Sequence, residues 1–271
     1  MSRNLHYTTV LSIAGSDSSG GAGIQADIKT CQTLGVYAMT AITAVTAQNT
    51  CGVKSFVSIS ESDIEAQIEA VVTDIRPDAV KIGMVPTPRA ARVIAACIER
   101  YDLANVVLDP VMVATSGDAL SCNEVMQIFR ERLFPRVSLL TPNLPEALAL
   151  SGIDIADDAD LCRAVIPVAG AIGCGSLLLK GGHSASDKIT DVLLHDGRVY
   201  SFTHPKIDTR NTHGTGCTLS SAIASYLAKG HDVPTACACA IEWLSCAIER
   251  GSSYEIGRGH GPVCHFTPEP N

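Results

Sequence analysis

The sequence predicts an α/β fold in which a mostly parallel sheet carries helices on both faces. Strand-length apolar runs alternate with segments of helical apolar spacing from residue 8 to residue 251. The runs are close to continuous, which is the pattern of strands buried on both sides. No Pro/Gly/Ser-rich linker, internal repeat or low-complexity tract breaks the alternation, so residues 1–271 are expected to form one domain.

The elements follow in order. "TTVLSIAGSD" (8–17) is a buried strand, "QADIKTCQTLGV" (25–36) a helix ending near Gly35, and "YAMTAITAVTAQNT" (37–50) a strand rich in β-branched residues. Ser62 and Glu65 have the spacing of a capping box and open a helix with Ile64, Ile68, Val71 and Val72 on one stripe. "DAVKIGMV" (78–85) is a strand. Thr87 caps the next helix, with Pro88 in its first turn. "NVVLDPVMVA" (105–114) is a strand, and 123–134 a helix that turns Val125, Phe129 and Leu133 inward.

"VSLLTPN" (137–143) and "SLLLKGGH" (176–183) are strands, and 145–152 and 161–172 are helices. The acidic "DIADDAD" (154–160) is expected to be a solvated loop. "TDVLLHDGRVYSF" differs: two alternating runs flank Asp196-Gly197, a hairpin signal. Helices over 214–230 and 235–251 close the chain.

Net charge is −8, which argues against nucleic acid or an anionic membrane as main partner. No apolar stretch approaches the roughly 18 residues needed to span a bilayer, and the start of the chain lacks a signal pattern, so a soluble protein is expected. Eleven cysteines lie in regular segments without any CxxC pair. A reducing cytoplasm fits better than a disulfide scaffold, and Cys237, Cys239 and Cys246 read as small hydrophobes in a helix.

In open parallel sheets ligands sit beyond the carboxyl ends of the strands. Every candidate site residue lies just after a predicted strand. In "NTHGTGCTLSSA" (211–222), Gly214 and Gly216 let the backbone approach a ligand, and the helix start leaves N–H groups for an anion. The same field is expected to lower the pKa of the Cys217 thiol. A plain glycine turn with a filler cysteine is the competing reading.

"GSDSSGGAG" (15–23), earlier in the chain, is another glycine loop that matches neither the dinucleotide nor the Walker pattern; Asp17 and Asp27 add carboxylates for a polar ligand. Asn143 and Glu146 could hold Mg²⁺ through water, or could simply cap a helix. Asp109 and Lys180 each end a strand. His183, His195, His204 and His213 show no ligand spacing; His195 reads as hairpin decoration, and His213 lies within reach of a nucleotide.

The segments "SIAGSDSSGGAGIQADIKT", "AITAVTAQNT", "KIGMV", "TPNLPEA", "LLKGGH" and "NTHGTGCTLSSAIA", in this order, resemble the hydroxymethylpyrimidine/phosphomethylpyrimidine kinases of thiamine biosynthesis, in the ribokinase-like superfamily. The resemblance extends to the "GRGHGPVCHF" tail. It implies a three-layer α/β/α sandwich, a homodimer, ATP with Mg²⁺, and two successive phosphorylations of an aminopyrimidine alcohol. Gly214, Thr215, Gly216 and Cys217 match the family's anion hole, and Lys180 matches a lysine near the transferring phosphate. Asp109 and Glu146, and with them Asn143 and Thr218, stand for the nucleotide and its magnesium. Gln48, with Ala22, Asp27, Met84 and Val111, stands for the substrate pocket.

Gln48 offers a donor and an acceptor together, which suits a ring nitrogen beside an exocyclic amine. Three rivals remain: a pyridoxine/pyridoxal kinase, an enzyme with Cys217 as covalent nucleophile, and a non-catalytic sensor.

Overall fold

The computed structural model describes residues 6–112, 120, 123–155, 160–182 and 186–266. Nine strands form one sheet among the described residues, in the order β3-β2-β1-β4-β5-β6-β7-β8-β9. In chain order they are β1 (Thr9–Asp17), β2 (Tyr37–Asn49), β3 (Gly52–Ser58), β4 (Ala79–Ile82), β5 (Val106–Leu108), β6 (Leu139–Leu140), β7 (Leu177–Leu179), β8 (Lys188–His195) and β9 (Arg198–Pro205). The six strands from β2 to β7 across the sheet pair in parallel, while β3 and the β8–β9 hairpin add antiparallel margins.

Side chains alternate between two cores with period two, as a pleated strand requires. Leu11, Ile13, Val80, Ile82, Leu108, Leu140 and Leu177 face one core, together with helices α2 (Glu61–Val72), α3 (Pro88–Arg100), α4 (Asn123–Arg132), α5 (Leu144–Ser151) and α6 (Leu161–Ile172). Val10, Ala79, Val107, Leu139 and Leu178 face the other, with α7 (Thr215–Ala228) and α8 (Val233–Gly251) and with Cys31 of α1 (Gly23–Thr33). The result is the expected three layers.

The predicted caps meet mixed outcomes. Thr87 accepts the N–H of Ala90 and Pro88 opens α3, as expected. The Ser62–Glu65 capping box does not form: Ser60 caps α2 and accepts from Asp63, so the helix starts earlier and Ser62 falls inside its first turn. Strand β3 was not expected from the sequence; it lies at the sheet margin with most residues exposed, so burial left no apolar signature. Strands β4 to β7 are shorter than predicted because their expected carboxyl ends leave the sheet as loops. Predictions over 113–114, 156–159 and at His183 fall outside the described residues.

Asp196 and Gly197 adopt φ of 50° and 71°, the left-handed pair that a two-residue hairpin needs. The ten described cysteines are all free thiols. Cys237 is buried, as a small hydrophobe would be, but Cys246 is exposed on α8 and does not fit that reading.

Candidate active site

The parallel strands end along one edge, and the residues just past them surround a cavity of about 780 Å³. Asp17, Met84, Asp109, Asn143 and Lys180 reach it from the ends of β1, β4, β5, β6 and β7. Ala22, Gln48, Val111 and Glu146 also line it, as do all four residues from Gly214 to Cys217.

Lys180 sits at the centre of a charged group. Its Nζ donates to Asp109 Oδ1 at 2.9 Å and lies 4.0 Å from Glu146 Oε2. Burial alone would lower the Lys180 pKa, but the two carboxylates outweigh it and hold the ammonium charged. Burial pushes the Glu146 carboxyl up to about 7, with Lys180 pulling it back and Asp109 adding to the rise. The capping reading of Asn143 and Glu146 holds in full: Asn143 Oδ1 accepts from the Glu146 N–H, and Glu146 Oε2 accepts from the Asn143 N–H. Both side chains still line the cavity.

The turn before α7 stands over this group. A Cβ at Gly216 would lie 3.2 Å from Asp109 Oδ2, close enough to press on it, and 3.6 Å from Lys180 Nζ, in ordinary contact. Gly214 has φ of +80°, and a Cβ there would stand 2.0 Å from the Gly21 carbonyl oxygen. The two glycine loops are therefore in direct contact.

Their amides are used differently. Asp17 accepts the N–H groups of Ser19, Gly21 and Ala22, so the first loop spends its donors on its own carboxylate. Burial would raise the Asp17 carboxyl, but bonds from His213, Ser19 and Ala22 together hold it down at about 2. Among the described residues, no acceptor faces the N–H groups of Gly214, Gly216 and Cys217. Unpartnered donors of the kind an anion would take are therefore found in the second loop and not the first.

Several expectations need correction. The Cys217 thiol is not lowered by the helix field: burial pushes it up to about 11, against the pull of Lys81 and a bond from the Gly23 N–H, with Asp27 and Asp109 adding to the rise. Asp27 is absent from the cavity lining. It is 1% exposed and pairs with Lys81 at 2.9 Å, while Ser12 and Ser221 donate to its two oxygens at 2.5 and 2.6 Å. Thr218 is buried outside the cavity lining, its hydroxyl 3.0 Å from His265 Nε2. His213 bonds Asp17 rather than standing free for a nucleotide.

At the turn after Gln48, Asn49 Oδ1 accepts from the Cys51 N–H. The Gln48 Oε1 accepts from Thr46 at 3.1 Å, and the residue lines the cavity.

Two further polar residues, Asp191 and Lys81, escaped the sequence reading, which gives His204 only as lacking ligand spacing. Asp191 accepts from the Gly181 N–H at 2.9 Å and pairs with His204 at 3.2 Å on the cavity wall. The Asp191 bond raises the His204 pKa against its burial. Lys81 had a signal: a lysine inside the apolar run 78–85 must be paired when buried.

A family model described as phosphomethylpyrimidine kinase matches residues 17–264. The chain is 44% identical over 260 residues to the hydroxymethylpyrimidine/phosphomethylpyrimidine kinase of Escherichia coli K12, covering 94% of this chain and 96% of that one. Among solved structures it is similar to an ADP complex of Bacillus subtilis pyridoxal kinase, with a TM-score of 0.86 and 38% identity, covering 96% of this chain and 98% of that one. It is also similar to the phosphomethylpyrimidine kinase of Clostridium difficile 630, with a TM-score of 0.77 and 40% identity, covering 89% and 99%. The parallel sheet between two helical layers is the ribokinase-like architecture of these neighbours. By sequence, fold and the residues that meet at its cleft, the chain belongs to the hydroxymethylpyrimidine/phosphomethylpyrimidine kinase family.

Proposed function

We infer that the chain uses ATP to phosphorylate 4-amino-5-hydroxymethyl-2-methylpyrimidine, first to its monophosphate and then to its diphosphate. The observation that carries this reading is the backbone of Gly216 lying against both Asp109 and Lys180. Phosphoryl transfer asks the protein for alignment and for neutralisation of charge on the migrating group, and these residues supply both. The N–H groups of Gly214, Gly216 and Cys217 cradle its oxygens, Thr215 starts the helix behind them, and Lys180 brings a fixed positive charge.

Asp109 and Glu146 suit Mg²⁺, which takes one or two carboxylates and completes its shell with water and phosphate oxygens. When bound, the ion would supply charge neutralisation between the phosphates. Gln48, Ala22, Met84 and Val111 form the pyrimidine end of the reading, with the Gln48 amide facing the ring nitrogen and amine.

The Cys217 thiol is protonated at neutral pH. It can take the alcohol's proton only through its small thiolate fraction, after its own proton has left to solvent, and a loose transition state asks for that transfer late. The second acceptor is an ionised phosphate and needs no base. We extend the reading to a homodimer working in the cytoplasm. The family resemblance and the exposed Phe56 and Val57 on β3 support self-association, and the free cysteines suit a reducing compartment.

Product mass tests the reading. ATP, Mg²⁺ and the pyrimidine alcohol should yield species with one and then two added phosphoryl groups; an unchanged alcohol would end it. The likeness to a pyridoxal kinase favours vitamin B6 phosphorylation as the second reading. Side-by-side kcat/KM values for the two alcohols decide between them.

A further inference from the structure

One side-chain pair joins the two glycine loops. His213 immediately precedes the cradle, and its Nε2 lies 2.8 Å from Asp17 Oδ2, with the two side chains 8% and 2% exposed. Asp17 ends β1 and organises the other loop through the amides of Ser19, Gly21 and Ala22. On its main-chain side, the His213 N–H donates to the Gly261 carbonyl at 2.9 Å, and the residue bridges to Pro262. His213 is thus held from two directions, and Gly214 follows it against the Gly21 carbonyl.

We propose that His213 and Asp17 form a positioning pair that fixes the amides of residues 214–217 relative to the other glycine loop, residues 18–22. The proposal rests on the reading of residues 214–217 as the phosphate cradle. A buried hydrogen bond to a carboxylate is strong and directional. Preformed donors lose effect steeply when displaced, and an ångström is enough to cost about 100-fold in rate. The Nε2 atom is committed to Asp17, so His213 acts through the backbone it holds rather than on the reacting atoms. Both phosphorylations share that backbone, so both should depend on the pair equally, unlike their dependence on Cys217.

The test compares His213→Ala with His213→Gln, whose amide N–H groups reach about as far as the imidazole Nε2. His213→Ala should lose about 10- to 100-fold in kcat for both steps, with each KM changing less than about threefold. His213→Gln should return to within about fivefold of the parent. A second readout needs no pyrimidine: amide NMR with the magnesium complex of AMP-PCP, a non-hydrolysable ATP analogue. The shifts of Gly214, Gly216 and Cys217 should shrink in His213→Ala and recover in His213→Gln.

Unchanged kcat with unchanged shifts in His213→Ala overturns the pair, and so does a loss that His213→Gln fails to repair. Should His213→Ala not fold, His213→Asn, too short to reach Asp17, takes its place under the same expectations. If the parent leaves the pyrimidine untouched while the NMR differences appear, the functional reading fails and the positioning pair stands.

Discussion

Lys180 Nζ lies 2.9 Å from Asp109 Oδ1, and the Gly216 backbone covers both groups. A cation and a carboxylate from two strand ends thus share one bare stretch of main chain. Neither loop of glycines would define a site alone; their contact at Gly21 and Gly214 does.

Gly216 and Gly214 should respond differently to alanine. At Gly216 the methyl group meets Asp109 and Lys180 at 3.2 and 3.6 Å, so Gly216→Ala should lose about tenfold or more in kcat while the melting temperature stays within about 2 °C. At Gly214 the φ of +80° and the Gly21 carbonyl forbid a side chain, and Gly214→Ala should cost well over 1 kcal/mol of stability. Parallel melting curves and rates check this; equal stability losses would contradict it.

Cys217→Ser should separate the two steps. With its thiol pushed up to about 11, Cys217 would act as a base only through its minor thiolate form, and only the step whose acceptor must lose a proton needs that form. The first phosphorylation should fall about 100-fold and the second less than about fivefold. Equal losses in kcat would remove Cys217 from the proton transfer.

Glu146→Gln should stabilise the protein at high pH while impairing catalysis. The Glu146 carboxyl rises from 4.5 to about 7 on folding, so between those values the native state keeps a proton that the unfolded chain has released. Its contribution to stability therefore declines as pH climbs through that window. Glutamine keeps the acceptor for the Asn143 N–H without that penalty. The melting temperature should match the parent near pH 4 and exceed it by about 2–4 °C near pH 8, for each kcal/mol relieved. A constant difference across pH would contradict the assignment.

The pair Lys81–Asp27 should be a buried unit beneath the site. Lys81 is 0% exposed and Asp27 1%. Lys81→Met strands a carboxylate and should cost about 3–5 kcal/mol, whereas Lys81→Met/Asp27→Asn should cost clearly less. Chemical denaturation of both variants measures the difference, and simple additivity would refute the pairing.

Asp27 also shows where the sequence stopped being legible. The layered fold was readable, because Leu11, Ile13 and their counterparts alternate between two apolar cores. Lys180, Asp109 and Glu146 were readable as cleft residues because each follows a strand end, and Cys217 because it follows a glycine turn at a helix start. Asp27 looked equally available, but its direction depends on Lys81, which lies 54 positions away. The Cys217 thiol was misjudged because a helix start lowers a pKa only if burial does not win, and burial is a property of the packed molecule. The partnership of His213 with Asp17 spans 196 positions and had no local signature at all.

Amide NMR of the labelled protein, titrated with the magnesium complex of AMP-PCP, tests the central claim most directly. Donors at Gly214, Gly216 and Cys217 should move strongly on binding, while Ser19, Gly21 and Ala22, already bonded to Asp17, should move little. Large shifts in the first loop with a silent second loop would contradict the account.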